Sequence, residues 1–138
     1  MRKGLIILTM LILTACSSAE IASWYGKGFE GSLTASGYVY DSNQLTCASN
    51  EHPFGTVLKV TNKKNKKSVV VVVTDRGGFA KYGRKIDLSK SAFLQIASSG
   101  HGLLDVEIEI LSKKHTFKYK HGKPHFTSED YKRYTEDI

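Results

Sequence analysis

Between Ser23 and Leu111 the apolar residues fall in short β-branched runs rather than long helical stripes. "VEIEI" (106–110) sets Val106, Ile108 and Ile110 on one side and Glu107 and Glu109 on the other, the alternation of a half-buried strand. "VLKVT" (57–61) and "VVVVVT" (69–74) flank the polar "NKKNKK" (62–67), which predicts a hairpin. "ASWYG" (22–26) and "YVYD" (38–41) are two further candidate strands. Helical spacing marks 89–98, where Ala92, Phe93 and Ile96 form one apolar stripe, Ser89 stands where an N-cap belongs, and Gly100 stands where helices commonly stop. Many short strands with one or two short helices predict a mainly β fold, a small closed barrel.

The valine run does not alternate, so both of its faces must be covered. It then runs into Thr74, Asp75, Arg76, Gly77 and Gly78. A carboxylate delivered at the end of the most apolar segment is the feature that a core strand alone does not explain.

Residues 112–138 change character. "KKHTFKYKHGKPHF" alternates Phe117 and Tyr119 with Lys118 and Lys120 and turns at His121–Pro124, which predicts a peripheral hairpin; "TSEDYKRYTEDI" reads as a short capped helix or as disordered.

The 138 residues suit one domain, and 41% apolar with 24% charged residues supports a packed core. The first stretch lies outside it. Arg2 and Lys3 precede an apolar run, Leu5–Leu13, that is too short to span a bilayer, and small residues follow: the pattern of an export signal. Removing residues 1–15 takes Arg2 and Lys3 away and lowers the net charge from +7 to +5. Export disfavours nucleic acid as a partner. Of the two cysteines, Cys16 follows the export signal and Cys47 reads as a small core residue. His115, His121 and His125 lack metal-ligand spacing, so no metal or cofactor is expected. The lysines at 63, 64, 66 and 67 read as a solvated turn.

Four segments in order carry a resemblance: "ASWYGKGFEGSLTASG", "LTCASNEHPFGTVLKVTN", "VVVVVTDRGGF" and "RKIDLSKSAF". Together they resemble the rare lipoprotein A (RlpA) family, related to expansins and barwin, across about 23–111. The resemblance implies a six-stranded double-psi β-barrel and a peptidoglycan lytic transglycosylase that prefers peptide-free glycan strands. It implies this organisation: signal peptide 1–15, lipidated Cys16 and tether 16–22, barrel 23–111, and a basic extension 112–138 without the sporulation-related repeat domain that the family often carries. "LTAC" resembles the lipoprotein cleavage box, implying acylation of Cys16, a membrane anchor and location in the cell envelope, facing the periplasm from the outer membrane if the cell is Gram-negative.

The chemistry follows from that reaction class. A lytic transglycosylase needs a proton for the leaving oxygen, while the substrate's own C6 hydroxyl attacks and no water is activated; one carboxyl group can act as acid and then base. Asp75 matches the family's catalytic Asp, and its place after the valines predicts a desolvated carboxyl; pairing with Arg76 or Arg84, or capping a turn, is the structural alternative. Arg76 and the backbone of Gly77 and Gly78 are candidate glycan contacts, the glycines leaving room for a polymer. Asp87 either faces Asp75 or stabilises the turn before the helix. The aromatics cluster around the motifs (Trp24, Tyr25, Phe29, Tyr38, Tyr40, Phe54, Phe79 and Tyr82), and their exposed members are candidates for a sugar-stacking platform, Trp24 and Tyr25 foremost. The chain departs from the family in having Tyr38 where a Glu is usual and Ser49 where a His is usual; Tyr38 is a candidate sugar contact, and Asp41 or Glu51 candidate substitutes. The departures keep a second reading open, an expansin-like glycan-binding module without catalysis.

Overall fold

The computed structural model describes residues 20–26 and 28–138. Six strands, β1 (Glu20–Trp24), β2 (Thr46–Ala48), β3 (Val57–Asn62), β4 (Ser68–Asp75), β5 (Ile86–Leu88) and β6 (Leu104–Ser112), close into a barrel in the order β1-β5-β2-β4-β3-β6, with β6 returning to β1. This is the six-stranded double-psi barrel that the resemblance implies. Two neighbouring pairs, β1 with β5 and β2 with β4, are parallel, and the rest are antiparallel. Closure leaves no open edge.

The expected hairpin is β3–β4, and the expected helix is α1 (Lys90–Ile96), whose N-cap Ser89 accepts a hydrogen bond from the Ala92 N–H at 3.2 Å. Its buried stripe, Ala92, Phe93 and Ile96, plugs the barrel core. Two expectations are corrected. Residues 38–41 form no barrel strand; Val39 makes only single bridges, to Leu33 and His125. β1 begins at Glu20, so residues 20–22 belong to the barrel rather than to a tether.

The valine run is explained by two cores. Val69, Val71 and Val73 face the barrel interior with Leu58, Val60, Ile86 and Val106. Val70 and Val72 face outward, where Phe117, Phe126 and Tyr134 cover them. The cover is the segment after β6. It is not the expected hairpin: Phe117 bridges Phe54, His125 bridges Val39, and the chain ends in α2 (Ser128–Thr135), closed by a reciprocal Thr127–Asp130 capping box. Tyr131 ties α2 to β4 through the Val70 carbonyl at 2.8 Å. Two glycines permit the close approach. At Gly37 (φ 93°) a Cβ would lie 2.1 Å from the Lys120 carbonyl oxygen, and at Gly55 (φ 88°) 2.4 Å from that of His115.

Candidate active site

Strand register places the site. Ala48 of β2 is the partner of Asp75 on β4 and of Asp87 on β5, and Asp87 is in turn the partner of Ser23 on β1. Ser23, Asp87, Ala48 and Asp75 therefore form one row across four strands. Ala48, buried and small, keeps the space between the two carboxyl groups free of a large side chain. A register shift between Cys47 and Ala48 accompanies the row.

Asp75 is half-buried and lines a cleft of about 350 Å³. Its Oδ1 accepts from the backbone N–H groups of Ala35 and Arg76, each at 2.8 Å, and its Oδ2 accepts from the Tyr25 hydroxyl at 2.8 Å. A carboxylate offers about four acceptor positions. Three are filled among the described residues. The alternative of a carboxylate locked against an arginine is not realised. Arg76 turns its Nη1 to the backbone carbonyls of Ser49 (2.7 Å) and Asp75 (3.3 Å) and stacks over Phe54 at 4.1 Å, while Arg84 donates to the Ser23 hydroxyl at 2.9 Å.

Tyr25 is buried apart from its approach to the cleft. Burial, and then the Asp75 charge and hydrogen bond, push its phenol far above the ordinary range, so it stays a donor. Its position is that of a clamp on the carboxylate rather than a stacking platform. Asp87 accepts from Ser23 at 2.5 Å and lines the same cleft. Burial pushes its carboxyl above the usual range and the Asp75 charge adds to that, against the opposing effects of the Ser23 hydrogen bond and Arg84. Gly78 borders open space. Gly77 is held by a reciprocal pair with Asn50, whose Nδ2 donates to its carbonyl at 2.7 Å and whose Oδ1 accepts from its N–H at 3.1 Å.

Two expected contacts are corrected. Trp24 is not in the cleft; the last residue of β1, one before Tyr25, it points the other way and packs on Phe93. Tyr38 is 2% exposed, set edge-on to Phe117 and Phe126, with its hydroxyl 3.0 Å from that of Tyr134. It belongs to the second core and meets no sugar. Asp41 caps a turn through the Asn43 N–H, and Glu51 pairs with Lys85, so neither joins the cleft. Cys47 is fully buried, as expected. Cys16 lies outside the described residues.

The open aromatic faces of the cleft come from two of the aromatics around the motifs other than the foremost candidates, Trp24 and Tyr25. Phe29 (50% exposed) and Tyr82 (70% exposed) supply its open aromatic faces. Arg84 lies below Tyr82, its Nε buried without a partner among the described residues. The available signal was local: both aromatics sit beside glycines, at Gly28 and Gly83, whose positive φ turns the chain outward. Elsewhere, His115, Glu136 and Asp137 bring ligand-type atoms within 4.8 Å of one another, but Asp137 is engaged by Lys114 at 2.6 Å.

The chain is similar to known proteins in sequence and in fold. A family described as lytic transglycolase matches residues 17–108. The endolytic peptidoglycan transglycosylase RlpA of Campylobacter jejuni is 47% identical over 91 residues, covering 66% of this chain and 33% of its own length. A probable endolytic peptidoglycan transglycosylase RlpA of Synechocystis is 48% identical, covering 66% and 28%. The chain thus spans about a third of the length of the curated relatives it matches. Among solved structures, the Streptomyces papain inhibitor superposes with a TM-score of 0.56 at 21% identity, covering 69% of this chain and 94% of that one. A point mutant of Clavibacter michiganensis expansin, solved in complex with cellohexaose, superposes at 0.53 with 18% identity, covering 72% and 52%.

Proposed function

The chain belongs to the lytic transglycolase family, and from that premise we propose that it cuts peptidoglycan glycan strands internally and without water, with Asp75 as the proton carrier. The observation that carries this reading is Asp75 itself: a carboxyl group in an open cleft, oriented by three donors and, among the described residues, paired with no guanidinium.

In this mechanism Asp75 gives its proton to the leaving glycosidic oxygen as the C1–O bond breaks. The C6 hydroxyl of the same sugar then closes on C1 to form the 1,6-anhydro ring, and its proton returns to Asp75. Atoms balance, and the carboxyl group is regenerated. Tyr25 holds Oδ2 in place and can reorient its hydroxyl to follow the proton. Asp87, kept toward its neutral form by burial, binds sugar hydroxyls beside the reacting centre. Phe29 and Tyr82 offer ring faces to sugar C–H groups, and Gly78 leaves the strand room to pass.

The same proposal places the protein in the cell envelope. Export through residues 1–15 and acylation of Cys16 support a membrane-anchored barrel, several acyl chains being enough for a firm hold.

The test is digestion of peptide-free glycan by the chain lacking residues 1–16, with anhydro-muramic ends read by mass spectrometry. Cleavage that disappears with Asp75→Asn supports the proposal. Binding without products supports the second reading, a non-cutting glycan grip, which the occupants Tyr38 and Ser49 at the family's Glu and His positions favour.

A further inference from the structure

A second depression, of about 460 Å³, adjoins the Asp75 cleft. The two share Arg76, and the Asn50–Gly77 pair lies between them, Asn50 lining one and Gly77 the other. Each is of a size that holds a small-molecule moiety. The far wall of the second depression is not made by the residues that match the family. It is made by Phe117 and Lys118, from the segment after β6. That segment is fastened here: the Phe117 N–H donates to the Phe54 carbonyl at 3.0 Å, their rings lie 6.0 Å apart, and Phe54 carries the Arg76 guanidinium on its other contact. Phe117 in turn packs on Tyr38 and Tyr134. The cation beside the reacting carboxyl group is thus positioned through the C-terminal segment.

Charge gives this arm its selectivity. Arg76 spends one nitrogen on backbone carbonyls, and among the described residues no carboxylate lies within ion-pair distance of Arg76 or of Lys118. Glu51, the carboxylate on the same wall, is neutralised by Lys85 at 2.5 Å. His52, also lining the depression, is held toward its neutral form, chiefly by burial and then by Lys113. The arm therefore presents two unpaired cations, an aromatic floor and neutral hydrogen-bonding groups.

Resting on the glycan-cutting assignment, we propose that the trough continues past Arg76 into this arm, and that Arg76 and Lys118 receive a sugar bearing a free carboxylate. In a peptide-free strand the lactyl ether of alternate sugars ends in such a carboxylate; a stem peptide converts it to an uncharged amide. Lys118 is then a specificity-determining residue supplied by the C-terminal segment.

The experiment compares peptide-free glycan with the same glycan after its carboxyl groups are amidated with methylamine. Affinity and anhydro-end formation are measured separately, for the wild-type chain, for Lys118→Glu, and for Lys67→Glu, the same charge change on the exposed β3–β4 turn. The wild type is expected to prefer free carboxylates by roughly fivefold or more, the range of exposed ion pairs acting together. Lys118→Glu should abolish that preference through KM with kcat retained, and Lys67→Glu should preserve it. The proposal is overturned if the wild type shows no preference, if Lys118→Glu keeps it, or if Lys67→Glu loses it equally. Carboxylate-dependent binding without anhydro ends would sink the cleavage assignment and leave the arm standing. Cleavage indifferent to Lys118 would do the reverse.

Discussion

Tyr25 and Asp75, fifty positions apart, are joined by a hydrogen bond of 2.8 Å from the phenol to Oδ2. The bond spans the row Ser23–Asp87–Ala48–Asp75, because Tyr25 leaves the end of β1 and reaches across Ala48 to the end of β4. Carboxyl orientation in this cleft is thus a property of barrel closure rather than of the loop that carries Asp75.

Tyr25→Phe removes that donor with little change in volume. A hydrogen bond to a charged group contributes about 1.5–3 kcal/mol, so kcat on peptide-free glycan should fall by about tenfold or more while KM changes little. The measurement is steady-state release of anhydro ends. A kcat equal to wild type would show that the clamp has no part in the reaction.

Asp87→Asn should separate stability from activity. The folded-state carboxyl of Asp87 is raised by burial, so folding favours its protonated form. The stability this gives is complete below the unfolded value of about 3.9 and is lost as pH climbs through the folded-state value. Asn keeps an oxygen for the Ser23 hydroxyl and does not ionise. The variant should therefore melt a few degrees above wild type at pH 7, the difference closing as pH falls through the window, while glycan turnover drops. Thermal melts across pH 3–7 check the sign.

Much of the barrel was legible because β3, β4 and β6 are six to nine residues long, enough to display a period or a β-branched run. β2 and β5 are three residues each, below the length at which alternation can be read, yet they carry Ala48 and Asp87. Asp75 was legible because a carboxylate after five valines conflicts with simple burial. Trp24 was misplaced because neighbouring strand residues face opposite ways, so Trp24 and Tyr25 could not both line one cleft. The extension was misread for a different reason. Its Lys-alternating aromatics look like a solvent-facing hairpin, but Phe117 joins the second core while Tyr119 stays exposed.

Phe126→Ala tests whether the extension is part of the folded unit. Phe126 is 2% exposed and stacks on Tyr134 over Val57 and Val72. Truncating a buried Phe costs about 3–5 kcal/mol, which lowers Tm by roughly 10 °C or more for a domain of this size. One cooperative transition at the lower temperature is the expected calorimetric result. An unchanged Tm would mean that residues 113–138 are dispensable cover.

Tyr38→Glu, which restores the family's usual residue, should not restore function by simple replacement. The position lies between Phe117 and Phe126 and beneath Tyr134, so a carboxylate there loses its hydration and faces ring edges, with the Arg133 guanidinium held on the Tyr134 ring instead. An unpaired buried charge is among the most damaging single changes, and about 3 kcal/mol or more of stability should be lost at pH 7. Much of that loss should return near pH 4, where the introduced Glu can protonate. Denaturant melts at the two pH values, read beside anhydro-end assays, test this. The wild-type Tyr38 belongs to the contact through which the C-terminal segment is bound, and a stable Tyr38→Glu protein with raised cleavage would show instead that the segment yields to let a second carboxylate reach the trough.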